Sequence, residues 1–257
     1  MWKNAYSLVS APGERTQYEI VVRRVAESRG GSAWLHDHAQ LGQGLEIGLP
    51  QNFFVLPRTA KKFLLLSAGI GITPFLSYLR ILNTPYEMHH CCKPEEAEVF
   101  GGLMPAGATI HTSRNALNLS ALLAAQKLDT HLAVCGPEPF MDAALSAAQH
   151  LGWGPARIHS ESFGGATGGA RFTVHLARSG RTLAVAHDRT LLEALEEAGL
   201  NPPCLCRGGA CGECELPVLA GVPEHHDHFL SDTKRADNTA IMTCVSRART
   251  PELTLDF

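Results

Sequence analysis

The 257-residue sequence contains no apolar run that approaches the roughly 18 residues a membrane-spanning helix needs. It also lacks the charged-then-apolar opening of a secretory leader, since Met1-Trp2-Lys3-Asn4 runs into polar, β-type sequence. No basic block is present, and the formal net charge is -3, which argues against nucleic acid or an anionic membrane surface as the partner. These three absences lead to the expectation of a soluble, cytoplasmic chain. Its 45% hydrophobic and 18% charged content is that of an ordinary globular protein, and its length predicts two or three compact units.

Without a leader, the eight cysteines are not read as a disulfide framework. Five of them crowd between positions 204 and 244. Cys206-Arg-Gly-Gly-Ala-Cys211-Gly-Glu-Cys214 has the spacing C-x4-C-x2-C, and Cys244 follows in Met242-Thr243-Cys244. That is the plant-type 2Fe-2S spacing. Structural zinc commonly uses two C-x2-C knuckles, whereas only one pair here is so spaced, which weakens the zinc alternative. The intervening glycines suit a loop that turns sharply and aims backbone N–H groups at sulfur. Cys91, Cys92 and Cys204 fall outside the pattern and read as core or surface thiols. His225, His226 and His228 read as a solvated polar loop.

Along the chain, 18–24 and 45–49 read as strands in an all-β region with one short helix. From Lys61 the character changes to a short buried strand at Phe63-Leu64-Leu65-Leu66, then Gly69-Ile70-Gly71, then an apolar helix over 73–82. Strand candidates at 87–92, 109–112 and 132–135 alternate with helices at 119–126 and 138–151, which predicts a parallel sheet covered by helices. The glycine-rich run 164–170 reads as a linker. Beyond it come a hairpin from 171–176 and 182–186, a helix over 191–198 and a closing strand over 253–257. The expected fold class is therefore multi-domain α/β plus β. Its doubly wound parallel-sheet NAD(P)-binding domain spans 58–163, and 171–257 forms the ferredoxin domain.

Three constellations carry a family resemblance. Residues 171–257 resemble the β-grasp 2Fe-2S ferredoxin domain, with Cys206, Cys211, Cys214 and Cys244 as the cluster ligands. Gly69-Ile70-Gly71-Ile72-Thr73-Pro74 and Cys135-Gly136-Pro137 each follow a strand and open a helix, where backbone N–H groups can hold a pyrophosphate. Together with Glu161-Ser162-Phe163 they resemble the pyridine-nucleotide domain of the ferredoxin-reductase family. That resemblance places Thr73, Cys135 and Glu161 to Phe163 around the nicotinamide. Tyr6-Ser7-Leu8 resembles the flavin motif R-x-Y-S of the same family, with Asn4 at the arginine position, and implies a partial flavin-binding β-barrel over 1–57. Gly30-Gly31-Ser32 resembles the phosphate-binding turn of the members that use FMN. Ser113-Arg114 stands where related reductases grip the 2′-phosphate of NADPH, and a guanidinium suits that dianion, so NADPH is favoured over NADH.

The order flavin, nucleotide, ferredoxin resembles the phthalate dioxygenase reductase and vanillate demethylase reductase family. The resemblance implies a reductase that takes hydride from NAD(P)H and releases single electrons through FMN and the cluster to a terminal oxygenase, with no acid–base residue of its own. That oxygenase is of the Rieske or amine-demethylating type. Only about 50 residues precede the nucleotide domain, too few to bury a closed flavin barrel alone. The expectation is that the chain is a part of a longer one or that a partner subunit completes the flavin domain. Two other readings stand beside this one: a ferredoxin-like electron carrier that has lost its flavin, and a free-standing NAD(P)H dehydrogenase.

Overall fold

The structure, a computed structural model, describes residues 4–25, 30–113, 116–163 and 168–257. The chain divides into two compact units, Met1–Ser162 and Phe163–Phe257.

In the first unit, the described residues between 4 and 60 hold one helix, α1 (Gly31–Asp37), and one isolated antiparallel bridge between Leu8 and Ile20. The segments 18–24 and 45–49, expected as strands, are not strands here. A strand exists through its hydrogen-bonded neighbour, and beyond this bridge and the bond from Val9 N–H to the Glu19 carbonyl (2.8 Å), no ladder forms among the described residues of this region. Leu45, Ile47 and Leu49 alternate as strand residues do, but all three are exposed.

The rest of this unit is a doubly wound sheet. Strands β1 (Lys62–Ala68), β2 (Tyr86–Cys91), β3 (Thr109–His111), β4 (Thr130–Cys135) and β5 (Ile158–Glu161) lie parallel in the order β3-β2-β1-β4-β5. The intervening helices are α2 (Thr73–Leu79), α3 (Ala97–Leu103), α4 (Leu119–Ala124) and α5 (Glu138–His150). The sequence Phe63-Leu64-Leu65-Leu66 is apolar without alternation because both faces of β1 are covered. Phe63 and Leu65 pack with Phe54, Phe75 and Phe100 on one face, and Leu64 and Leu66 pack with Leu123, Met141 and Ala144 on the other. Helix α2 stops three residues short of the expected end. Helix α3 was not anticipated: its sequence, Ala-Glu-Val-Phe-Gly-Gly-Leu, buries only Phe100 and carries two glycines.

The second unit is a mixed sheet of β6 (Phe172–Leu176), β7 (Arg181–Val185), β8 (Glu215–Ala220), β10 (Ala240–Met242) and β12 (Glu252–Leu255), ordered β10-β8-β12-β6-β7. A two-residue pair, β9 (Pro223–Glu224) with β11 (Arg247–Ala248), sits beside it. Helix α6 (Leu191–Glu197) contributes Leu191, Ala194 and Leu195 to the core with Phe172, Val174, Ile241 and Leu253. Thr190 starts this helix through a capping box: its hydroxyl accepts from Glu193 N–H (3.1 Å), and the Glu193 carboxylate accepts from Thr190 N–H (3.0 Å). Helix α7 (Asp232–Asp237) starts at Ser231, whose hydroxyl oxygen accepts from Lys234 N–H (3.3 Å) with no reciprocal bond, and ends at Asn238 in the left-handed conformation. Of the expected linker 164–170, residues 164–167 lie outside the described residues.

Candidate functional sites

In the first unit the strand order reverses between β1 and β4, so their carboxyl ends leave a crevice at a topological switch point. Both glycine motifs arrive there. Gly69 takes a positive φ of 53°, and residues 69–72 form a 3-10 turn into α2. A Cβ on Gly71 would fall 2.4 Å from the Cys135 carbonyl oxygen and 2.7 Å from Gly136 Cα. The sequence motifs at 69–74 and 135–137 are thus seated backbone on backbone, a contact that only glycine permits. Thr73 is buried and its hydroxyl donates to the Ile70 carbonyl (3.0 Å), tying the turn to the first residue of α2, with Pro74 next to it.

One level below the turn, Ser67 pairs in register with His90 and with Cys135, and Cys135 pairs with Glu161. Register partners point to the same face, so these four side chains form a polar row across four strands. Burial pushes the Cys135 thiol well up, and the Glu161 carboxylate adds to it. Ser67 Oγ lies 2.8 Å from His90 Nδ1, and burial, with the nearby His111, lowers the His90 imidazole to about 4. The structure thus brings Gly69, Gly71, Thr73, Pro74, Cys135, Gly136 and Glu161 to one region. Phe163 opens the second unit and is exposed, and Ser113, also exposed, lies two residues past the end of β3. Arg114 lies outside the described residues.

Sequence reading missed His90, Ser67 and Arg23. The Arg23 guanidinium lies 3.5 Å from where a Gly69 Cβ would stand and pairs with Glu96 at 2.8 Å. A lone arginine in an irregular segment carries no pattern that would have marked it.

Around α1, Asn4, Tyr6 and Gly31 meet. A Cβ on Gly31 would lie 1.6 Å from Asn4 Nδ2 and 3.3 Å from the Tyr6 hydroxyl. Burial raises the Tyr6 phenol, opposed by its hydrogen bond with Asn4. Val25 N–H donates to Ser32 Oγ (3.3 Å), His36 Nε2 lies 2.9 Å from the Val22 carbonyl, and Arg24 pairs with Asp37 at 2.8 Å. These contacts seat the Gly30-Gly31-Ser32 turn against the segment 22–25. The turn, Asn4 and Tyr6 form a cradle whose space beside Gly31 is taken by the Asn4 amide, and its backbone N–H groups and phenol ring are of the kinds that suit a phosphate and a flat ring.

In the second unit the loop 206–214 gathers its thiols. Cys214 and Cys244 sulfurs are 3.2 Å apart, and Cys206 Sγ accepts from the N–H groups of Gly208 and Ala210, both at 3.4 Å. The Cys206 thiol is held low by hydrogen bonding with Cys244 and by these N–H groups, whereas Cys244 is raised by Cys206 and Cys214. Four thiols that share protons unevenly, with amides aimed at sulfur, form a thiolate donor set, and it fits a 2Fe-2S cluster. Arg207, Gly209 and Gly212 all take positive φ, which lets the loop wrap. Cys204 packs against the buried Cys214 and Cys244 layer and lies outside the donor set. His225 corrects the expectation of a solvated histidine loop: its side chain is buried, while His226 and His228 are exposed. The run 224–228 reads as polar, yet tertiary contacts close over its first histidine. Among the described residues no group of three or more His, Cys, Asp or Glu side chains, the thiols included, closes around a point that would hold a single metal ion.

Residues 174–249 match the family described as the 2Fe-2S iron-sulfur cluster binding domain. Over 99% of its length the chain is 42% identical to the heme-dependent oxidative N-demethylase beta subunit of Ectopseudomonas mendocina, covering 84% of that protein. It is 36% identical to the phthalate 4,5-dioxygenase oxygenase reductase subunit of Pseudomonas putida, over 98% of this chain and 82% of that protein. The solved phthalate dioxygenase reductase, a modular structure for electron transfer from pyridine nucleotides to a 2Fe-2S centre, matches with a TM-score of 0.73 at 33% identity. That match covers 99% of this chain and 83% of that one. The chain belongs to the phthalate dioxygenase reductase family. Membership accounts for the joint presence of a switch-point crevice and a four-thiol loop in one polypeptide. No helix among the described residues is long and apolar enough to cross a membrane.

Proposed function

We propose that this chain is the reductase component of a multicomponent oxygenase, an NAD(P)H-dependent oxidoreductase that delivers single electrons to a terminal oxygenase of the Rieske or amine-demethylating type. The observation that carries this reading is the seating of Gly71 on Cys135 and Gly136 at the switch point, in a chain that also gathers four thiols around loop 206–214. When bound, FMN accepts hydride and gives up electrons singly, and the cluster passes them on.

The residues of this chain position and insulate. Gly69, Gly71 and Gly136 keep the crevice open to a pyrophosphate, with the amino end of α2 supplying N–H groups. Thr73 holds the turn, and Cys135 and Glu161 line the nicotinamide end. Ser113 and Arg114 would meet the adenosine 2′-phosphate, so NADPH is the favoured donor. Tyr6 and Ser7 would lie against the flavin ring, and Gly30, Gly31 and Ser32 would meet its phosphate. Cys206, Cys211, Cys214 and Cys244 would ligate the cluster as thiolates, with the Gly208 and Ala210 amides favouring the charged form of Cys206. The protein is proposed to work in the cytoplasm.

The exposed alternating residues Leu45, Ile47 and Leu49, with Leu41, support a second element of the proposal: further β-structure, contributed by a partner subunit, closes the flavin domain over them. They also favour the reading of a carrier that uses the cluster alone. Purifying the chain with whatever accompanies it, then measuring flavin content and NADPH- against NADH-dependent cluster reduction, separates the two. FMN with faster reduction by NADPH supports the reductase. Iron and sulfide alone, inert to both nucleotides, support the carrier. Stoichiometric flavin on an isolated monomer removes the partner subunit.

A further inference from the structure

Among the described residues Asp227 is the only buried carboxylate, and the mechanism above does not use it. Its Oδ2 accepts from Leu230 N–H (2.8 Å) and Phe229 N–H (3.2 Å), which closes a tight turn over 227–230. Its Oδ1 accepts from the Ser246 hydroxyl (3.3 Å), and that oxygen in turn accepts from His226 N–H (3.1 Å). The Arg235 guanidinium donates to the Asp227 carbonyl (2.6 Å) and stands 3.6 Å from the carboxylate, and His225 Nδ1 is 3.7 Å away. One side chain therefore joins the 225–230 turn, helix α7 and the segment that follows Cys244.

The turn it closes covers the cluster loop. His228 N–H donates to the Gly209 carbonyl (3.0 Å). A Cβ on Gly209 would lie 3.1 Å from Asp227 Cα, and one on Gly212 would fall 2.3 Å from Phe229 Cζ. The backbone of Asp227 and the ring of Phe229 thus form the wall outside the loop that carries three of the four cysteines.

We propose that Asp227 is a positioning residue of the cluster: it clamps the 225–230 turn against Gly209 and Gly212, and its buried negative charge holds the reduction potential of the cluster down. The proposal rests on the cluster reading of the four cysteines. A fixed negative charge disfavours adding an electron to an already anionic centre, and excluding water acts in the same direction, since solvent exposure and nearby charge are among the factors that set such potentials. An uncharged side chain of the same shape removes the first effect while keeping the turn, because an amide oxygen can replace Oδ2. Alanine removes both.

The test compares Asp227→Asn and Asp227→Ala with the parent in the full chain carrying its cluster, using Asp256→Asn, a half-buried carboxylate of the same unit paired with Arg178, as the control. The midpoint potential is read by titration of the electron paramagnetic resonance signal of the reduced cluster, and cluster loss by bleaching under an iron chelator. Asp227→Asn is expected to shift the potential upward while losing its cluster within about twofold of the parent rate. Asp227→Ala is expected to shift it upward as well and to bleach at least tenfold faster. A potential unchanged in Asp227→Asn, or shifted equally in Asp256→Asn, overturns the role of the charge. A parent-like bleaching rate in Asp227→Ala overturns the clamp. A parent chain that takes up no cluster under reconstitution overturns the cluster reading itself, and this inference with it.

Discussion

Residues 4–60 and the second unit both carry recognisable cofactor motifs, but they differ in how much structure surrounds them. The second unit pairs five strands into one sheet, caps its helices with Thr190 and Ser231, and buries thirteen residues in its main core. The described residues between 4 and 60 form one bridge and one seven-residue helix, and leave Leu41, Leu45, Ile47 and Leu49 in the open. Tyr6 and Gly31 still find each other. A cradle can therefore be assembled from a few local contacts, while a sheet requires partners for every strand, and the motif is more robust than the fold that holds it.

The sharpest way to separate the two regions is to remove one of the proposed cluster ligands. Cys244→Ser is expected to abolish the visible absorbance and the reduced-state paramagnetic signal of the cluster while sparing pyridine-nucleotide oxidation with a dye acceptor. Loss of both activities together would mean that the regions do not work as separable modules. The next largest effect is expected at Gly71. Its Cβ would meet the backbone of Cys135 and Gly136, which cannot give way as a side chain can. Gly71→Val should cost about 3 kcal/mol or more in stability and abolish nucleotide binding, measured by denaturant unfolding and fluorescence titration. At Gly212 the obstacle is the Phe229 ring, so Gly212→Ala should cost less in packing, with the positive φ of 79° adding about 1 kcal/mol.

What could be read in the sequence follows the same division. The gathering of the thiols around loop 206–214 and the meeting of the glycine motifs at 69–71 and 135–137 were legible because a thiol-lined loop and a close backbone approach each demand a particular residue at a particular spacing. The strand and helix order of 61–161 was legible from its apolar blocks. Asp227 was not, because within Glu224-His225-His226-Asp227-His228 nothing distinguishes a buried hub from a solvated loop. Nor was Arg247, whose side chain is buried and donates to the Ala170, Ala186 and Arg189 carbonyls. In both cases burial is decided by contacts far along the chain. The strands expected at 18–24 and 45–49 failed for the complementary reason: alternation describes a face, but pairing needs a neighbour.

Acid should act on the first unit through His90. Its imidazole is lowered to about 4 in the folded protein by burial, against 6.5 when unfolded. Below pH 6.5 the unfolded chain binds the extra proton, so this contribution is complete above pH 6.5 and is lost as the pH falls toward 4. At about 1.36 kcal/mol per unit, the loss is of the order of 3 kcal/mol. Unfolding of the nucleotide-binding unit by urea at several pH values should show that slope, and His90→Gln should flatten it. A slope unchanged in the variant would assign the acid sensitivity elsewhere, the paired His131 and His159 being the next groups to replace, since burial lowers both.

The smallest expected effect tests whether the second unit owes its order to local signals or to its core. Thr190 and Glu193 satisfy each other's backbone N–H groups at the start of α6, a seven-residue helix too short to persist alone. Replacing Thr190 with alanine removes one of those bonds and should cost about 1 kcal/mol, with the midpoint of unfolding lowered and its slope unchanged. Leu191, Leu192 and Leu195, all essentially buried, continue to hold the helix on the sheet, so the cluster signal should persist in the variant. If the signal disappeared with the cap, the helix start would be the element on which the cluster loop depends, and the contrast with residues 4–60 would rest on local capping more than on the completeness of the sheet.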